Sequence, residues 1–314
     1  MNPIAEYLAA SPLRSGAIIL DGALATELEA RGADLQDKLW SAKILIEQPA
    51  LIRAVHLDYF RAGADVATTA TYQASFEGFA RRGIDAAAAA GLMRTAVELA
   101  RSARDEFWAD PDNRRGRLRP LVAASIGPYG AALADGSEYR GNYALSDAGL
   151  RAFHRPRLQV LAESGADLLA IETLPCEREA LVLAQLVEEC APITAWIAFS
   201  CRDGMHTAEG QRIGECALRL EGFEQVAAVG INCTPPPFIV PLLRELRECT
   251  RKPLLVYPNS GETFDAVGKC WHGSAAPVAF AAAATAWRAE GARLIGGCCR
   301  TTPADIQAVR AALA

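Results

Sequence analysis

Arg61-Ala-Gly-Ala-Asp-Val-Ala-Thr-Thr69 closes one element and opens another within nine residues. A glycine after a helical pattern can take the left-handed conformation that ends a helix, and the apolar run behind it reads as a strand. The same joint returns as Glu163-Ser-Gly-Ala-Asp167 and as Ala289-Glu-Gly-Ala-Arg293, with Gly165 and Gly291 in the place of Gly63. Outward from these joints, short apolar runs bounded by turn residues predict strands at Ala17–Leu20, Val66–Thr69, Leu121–Ser125, Leu168–Ile171, Ala195–Ser200, Ala227–Ile231, Leu254–Tyr257 and Arg293–Ile295. Between them lie helical patterns at Leu51–Arg61, Leu92–Phe107, Leu150–Glu163, Ala180–Glu189 and Phe238–Glu248. The last helix carries start signals: Thr302 as cap, Pro303 in the first position and Asp305 in the first turn. Eight β-then-α units without a linker predict an α/β fold, a single (β/α)8 TIM barrel spanning residues 1–314 as one domain. A doubly wound open sheet is the rival. The chain lacks the strand–Gly-x-Gly–helix fingerprint of a nucleotide-binding sheet of that kind.

Composition narrows the function classes. Of 314 residues, 51% are hydrophobic and 22% charged, enough for a large core. A formal net charge of −5 and a pI near 5.5 argue against a nucleic-acid surface. Met1 to Ser15 lacks the basic start and apolar run of a signal peptide, and no apolar stretch is long enough for a bilayer, so a cytoplasmic protein without a membrane partner is expected. Nine cysteines, an odd number, then suggest reduced thiols over a disulfide framework.

A barrel places its chemistry at the C-terminal ends of its strands. The residues there are Asp21-Gly22, Thr68–Tyr72, Ser125–Tyr129, Glu172-Thr173, Ser200-Cys201, Asn232-Cys233, Pro258–Glu262 and Gly296-Gly-Cys-Cys299. Adjacent Cys298 and Cys299 are poorly placed to pair with each other but can grip one tetrahedral ion if the chain turns sharply, a freedom expected of Gly296-Gly297. Cys233 lies 65 residues earlier, yet strands six and eight are two places apart in a barrel. Three sulfurs leave a fourth position open, as in catalytic zinc sites. Cys176 and Cys201 lie near the same rim and are alternative ligands. Cys190, Cys216, Cys249 and Cys270 read as buried or incidental thiols. Of four histidines, His56 and His154 read as helix packing residues, and His206 and His272 as loop residues without a recognisable partner.

Leu20-Asp-Gly-Ala23, Asp37-Lys-Leu-Trp-Ser-Ala42, His56-Leu-Asp-Tyr59, Tyr139-Arg-Gly-Asn142, Gly230-Ile-Asn-Cys233, Tyr257-Pro-Asn-Ser-Gly-Glu262 and Gly296-Gly-Cys-Cys-Arg-Thr-Thr-Pro303 together resemble the homocysteine S-methyltransferase family over nearly the whole chain. The likeness is greatest to the bacterial and plant branch that uses S-methylmethionine or S-adenosylmethionine, and weakest over 202–222. It implies zinc on Cys233, Cys298 and Cys299, with Asp21, Gly22 and Glu172 holding the amino-acid part of homocysteine. Thr69 and Asn232 are expected to complete that substrate set. A sulfonium donor needs an acidic or aromatic face; Tyr72, Tyr129, Tyr139 and Glu262 are the expected candidates. The implied reaction is zinc-dependent methyl transfer to homocysteine thiolate, giving methionine. The rivals are methylation of another thiol or a selenol such as selenocysteine, and a non-catalytic zinc-binding or redox protein.

Overall fold

A computed structural model of the chain describes residues 2–34, 41–261, 263–265, 270–272 and 276–314. The eight strands are β1 Ile18–Ile19, β2 Val66–Thr68, β3 Leu121–Ile126, β4 Leu168–Leu174, β5 Ala195–Phe199, β6 Val226–Asn232, β7 Leu254–Tyr257 and β8 Ala292–Ile295. Each pairs in parallel with its neighbours in the order β1-β8-β7-β6-β5-β4-β3-β2, and a further parallel bridge between Leu20 and Val66 joins the two ends. The sheet therefore closes, and the open-sheet alternative falls. The predicted (β/α)8 barrel is the fold.

The three recurring joints behave as read. Gly63, Gly165 and Gly291 have φ of 115°, 85° and 109°, and the strands at 66, 168 and 292 start within three residues of them. The last helix, Pro303–Leu313, is opened by Thr302, whose backbone N–H and hydroxyl both donate to Asp305 at 2.8 Å. Outside the barrel strands, Thr263–Asp265 and Cys270–His272 form an antiparallel hairpin; the periodicity reading had no strand there.

Side-chain alternation separates two cores. Outward residues such as Ile19, Val122, Ile171, Ile197, Val229 and Val256 pack under the helices. Inward residues Ile18, Leu20, Val66, Ala123, Leu168, Ala170, Trp196, Ala228, Leu255, Tyr257 and Leu294 fill the barrel. One large ring among small neighbours sets the interior: Trp196 is wholly buried where Ala170, Ala198 and Ala228 make room. Burying such a ring contributes on the order of 3 kcal/mol, which a Trp→Ala change would forfeit. At the strands' N-terminal end, helix Pro3–Ala10 inserts Ile4 and Tyr7, and the Tyr7 hydroxyl donates to the Leu118 carbonyl at 3.4 Å. That end is plugged. Chemistry is left to the opposite rim.

Candidate active site

The inward parity of the strands continues into polar residues at their C-terminal ends. Ser125, Glu172, Asn232 and Tyr257 each stand an even number of residues beyond an inward apolar side chain. A ladder of hydrogen bonds rises from the core through three of them: Trp196 Nε1 donates to the Tyr257 hydroxyl at 3.0 Å, and Glu172 takes hydrogen bonds from Tyr257 and, through Oε1, from Ser125 Oγ. Burial raises the Glu172 carboxyl to about 7, against the lowering effect of those two donors. Asp21, directly after β1, accepts from Thr68 N at 2.7 Å and Thr68 Oγ1 at 2.8 Å. It too is raised to about 7, mainly by burial, with Glu172 adding like charge. Two desolvated acids held by neutral donors thus face the barrel mouth. Such a pair favours a cationic ligand.

The three cysteines meet above them. Cys298 Sγ lies 3.0 Å from Cys233 Sγ, and Cys233 Sγ lies 3.4 Å from Cys299 Sγ. The three ligand atoms fall within 4.8 Å of one another, with Cys233 buried and the others half-buried. Hydrogen bonding from its two cysteine neighbours holds the Cys299 thiol well below its ordinary value, while hydrogen bonding within the cluster, with Cys298 Sγ donating to Cys233 Sγ, and burial hold Cys298 well above. Around tetrahedral zinc at about 2.3 Å, sulfurs sit about 3.8 Å apart, so the separations of Cys233 from Cys298 and from Cys299 fit after opening by less than about 1 Å. Thiolate donors of this kind suit zinc.

Backbone straps explain the meeting of residues 65 apart. The tip of β7 bridges both sides: Cys233 N donates to Tyr257 O at 3.2 Å, Cys298 N to Pro258 O at 2.7 Å, and Ser260 N to Cys299 O at 3.0 Å. The β1 end supplies a second clamp, with Gly297 N on Asp21 O at 3.0 Å and Ala23 N on Thr301 O at 3.2 Å. Cys233 itself is left-handed, φ 49°. A non-glycine residue in that region costs on the order of 1 kcal/mol or more, which the straps offset.

Gly296 and Gly297 carry a correction. Neither is left-handed; the positive φ in this loop belongs to Arg300, 67°. The glycines are required by closeness instead. A Cβ on Gly296 would stand 2.5 Å from Leu20 Cβ and 2.8 Å from Asp21 O, and one on Gly297 would meet Thr301 Cβ at 2.6 Å. Gly22 is equally tight, 2.9 Å from the Tyr59 hydroxyl and 2.8 Å from Thr301 Oγ1.

The remaining expected residues divide. Asn232 lies under the site but its amide is engaged with Thr173: Oδ1 accepts from Thr173 N at 2.7 Å and Nδ2 donates to Thr173 Oγ1 at 2.8 Å. Thr173 has φ 61°, a strained position for a β-branched residue, so Asn232 fixes the irregularity in β4 just past Glu172. Thr69 Oγ1 accepts from Ser125 N at 3.1 Å and shares a hydrogen bond with Thr71 Oγ1 at 2.7 Å. It is Thr68, one residue earlier, that reaches Asp21. The Tyr72 hydroxyl bonds to Thr173, within electrostatic range of Cys233 and Glu172. The Tyr139 hydroxyl stands 3.3 Å from Cys233 Sγ. The Tyr129 ring instead packs edge-on to Tyr143 and Phe153 at 5.4 and 5.0 Å, in the helix layer. Glu262 and residues 37–40 of the Asp37–Ala42 motif lie outside the described residues, as does the His272 side chain.

Cys176 and Cys201 are buried outside the cluster; burial pushes the Cys176 thiol up to about 12 and holds Cys201 well above its ordinary value. His154 is buried and hydrogen-bonded, its Nε2 2.8 Å from Glu179 Oε1. His56 is a buried packing residue without a hydrogen-bond partner among the described residues. His206 corrects the sequence reading: its Nδ1 stands 3.1 Å from the Asp203 carboxylate. Thr68 and Ser125, expected on the rim with no particular role, are the donors that hold Asp21 and Glu172, and Tyr257, which the sequence places only within a strand and a family motif, is the second donor to Glu172; strand parity carries a signal for Ser125 and Tyr257.

The homocysteine S-methyltransferase family model matches residues 18–313. The chain is 54% identical over 311 residues to the homocysteine S-methyltransferase YbgG of Bacillus subtilis, covering 99% of this chain and 98% of that one. It is 48% identical over 304 residues to a selenocysteine Se-methyltransferase of Brassica oleracea, covering 94% and 88%. The metallated form of the homocysteine methyltransferase MmuM from Escherichia coli superposes with a TM-score of 0.87 at 48% identity, covering 99% of each chain. Among the described residues no helix is long and apolar enough to cross a membrane.

Proposed function

The chain belongs to the homocysteine S-methyltransferase family and transfers a methyl group to homocysteine, and from that premise we propose that Cys233, Cys298 and Cys299 hold zinc and that the donor is a sulfonium, S-methylmethionine or S-adenosylmethionine. The observation that carries the metal reading is the three-sulfur cluster within 4.8 Å at the barrel mouth. Zinc held there would supply the Lewis acidity that deprotonates a substrate thiol near neutral pH, while three thiolates keep that sulfur electron-rich.

The chain's own residues position the acceptor. Asp21 and Glu172, desolvated and each near 7, are the expected seat of the homocysteine ammonium; a cation between them favours both carboxylates. Gly22 lets Tyr59 and Thr301 close tightly on the chain beside Asp21, which fixes that carboxylate where the substrate's amino-acid end would sit. Thr68 and Ser125 orient the two acids, and Asn232 with Thr69 holds the turns that carry them. The acceptor thiolate then forms its new S–C bond as the donor's S–C bond breaks. The sulfonium positive charge is cancelled, and two neutral thioethers result. Fixing the two reactants in line is worth several kcal/mol of barrier.

Metal analysis beside methionine formation from S-methylmethionine and homocysteine tests this, in the wild type and in Cys298→Ser. The expected outcome is zinc in the wild type and, in the variant, loss of metal and at least a ~100-fold loss of activity with unchanged circular dichroism. Full activity in the variant would overturn it. A second reading is favoured by the 48% identity to a selenocysteine Se-methyltransferase: the acceptor is a selenol. Competition between homocysteine and selenocysteine for the same donor separates the two.

A further inference from the structure

One acid near the reacting sulfurs has no role in the site as described so far. Ser137–Tyr139 form a single 3-10 turn. Tyr139 of this turn reaches Cys233, and Glu138 stands beside it. The turn is held from several sides. Gly130 lies so close that a Cβ there would meet Glu138 N at 2.6 Å and Ser137 C at 2.7 Å. Asp135 Oδ1 accepts from Ser137 N at 2.9 Å, and Ser200 Oγ, just past β5, donates to Glu138 O at 3.0 Å. Three residues beyond the turn's end, Glu209 Oε1 accepts from Asn142 N.

From this anchored backbone the Glu138 side chain goes inward. Its Oε2 is buried and has no hydrogen-bond partner among the described residues. The carboxylate is within electrostatic range of both Cys233 and the Tyr72 hydroxyl. A buried, unsatisfied carboxylate oxygen near Cys233 is unfavourable by desolvation, and by like charge once that sulfur is a thiolate. Relaxation of the turn is blocked by Gly130 and Ser200. A cation standing between Glu138 and the sulfur cluster would relieve both penalties at once. Asp21 and Glu172, lower in the mouth, are already matched to the acceptor's ammonium.

We propose that Glu138 is the counter-charge for the methyl donor's sulfonium, a donor-specificity residue on the Ser137–Tyr139 turn that faces the acceptor sulfur across the site. The proposal rests on the sulfonium-donor reading above. It assigns the discrimination of charged from neutral donors to one carboxylate held by neighbouring loops. Tyr139 and Tyr72 contribute apolar and aromatic walls on either side.

The test uses zinc-loaded wild type, Glu138→Gln and Glu138→Asp. Four quantities are read: KM for S-methylmethionine, KM for homocysteine, zinc content, and the inhibition constant of homoleucine, a neutral isostere with CH in place of the sulfonium sulfur. Glu138→Gln is expected to raise the donor KM about tenfold, leaving homocysteine KM, zinc and homoleucine inhibition unchanged. Glu138→Asp should recover part of the loss. The proposal is overturned if the donor KM is unmoved, or if donor and homoleucine weaken equally, as a purely structural role requires. Failure of the donor reading shows separately, as a wild type that makes no methionine from any sulfonium.

Discussion

Replacing Glu172 with glutamine should make the enzyme worse and the ligand-free protein more stable, and the second effect should depend on pH. In the folded chain this carboxyl is raised from 4.5 to about 7, mainly by burial. At about 1.4 kcal/mol per decade, the buried charge destabilises the native state by on the order of 3 kcal/mol above pH 8. The sign follows from linkage. Below about 4.5 the carboxyl is protonated in folded and unfolded chains alike, and its neutral form contributes fully. As pH rises through 7 the unfolded chain ionises first, and that contribution is lost. Glutamine does not titrate and keeps the shape, so the variant's advantage should be near zero at pH 4.5 and reach about 1 to 3 kcal/mol at pH 8, after allowance for weakened bonds to Ser125 and Tyr257. Urea denaturation at both pH values, with and without homocysteine, measures it. Homocysteine should stabilise the wild type more than the variant, and kcat/KM for homocysteine should fall about 10- to 100-fold, the worth of a hydrogen bond to charge. Equal destabilisation of the variant at both pH values would refute the reasoning. Glu172 would then be a structural partner and not a charge waiting for a ligand.

Three further outcomes are expected. Because Asp21 and Glu172 both stand near 7, kcat/KM for homocysteine should decline as pH falls below about 7, and a profile flat to pH 5.5 would count against their role in binding the ammonium. Gly297→Ala places a methyl group against Thr301 and should cost about 1–3 kcal/mol of stability, with reduced zinc content by metal analysis; unchanged zinc and unfolding midpoint would remove the close-approach explanation. Arg157→Leu takes away a buried guanidinium whose Nη2 bonds to the Gly127 carbonyl and stands 2.9 Å from His154 Nδ1. It leaves the buried Glu179 without its cation, so a loss of about 3–5 kcal/mol is expected in chemical denaturation.

That buried group also shows how the fold aims the rim. Glu179 Oε1 accepts from Tyr129 N at 2.6 Å and meets His154 at 2.8 Å, while Arg157 reaches the carbonyls of Ala74 and Gly127. Helices behind the barrel thus fix the loops after β2 and β3, from which Tyr72 and the Glu138 turn project. Tyr129, expected at the donor, belongs to this supporting layer. Its position in the chain resembles that of a site residue because loop and support are contiguous in sequence.

The sequence by itself determined the alternation of strand and helix, the three glycine joints and the cap at Thr302, since each depends on a residue's own backbone preferences and near neighbours. It also determined which strand ends carry polar groups, because strand parity is a local count. Only the tertiary structure decided that Gly296 and Gly297 are there for closeness to Leu20 and Thr301, and that Thr68 holds Asp21 while Thr69 is tied to β3. It alone turned Asn232 toward Thr173 and left Glu138 Oε2 buried without a hydrogen-bond partner among the described residues. These facts depend on barrel closure and strand register, which bring together atoms far apart in the chain, and no local spacing encodes such distances.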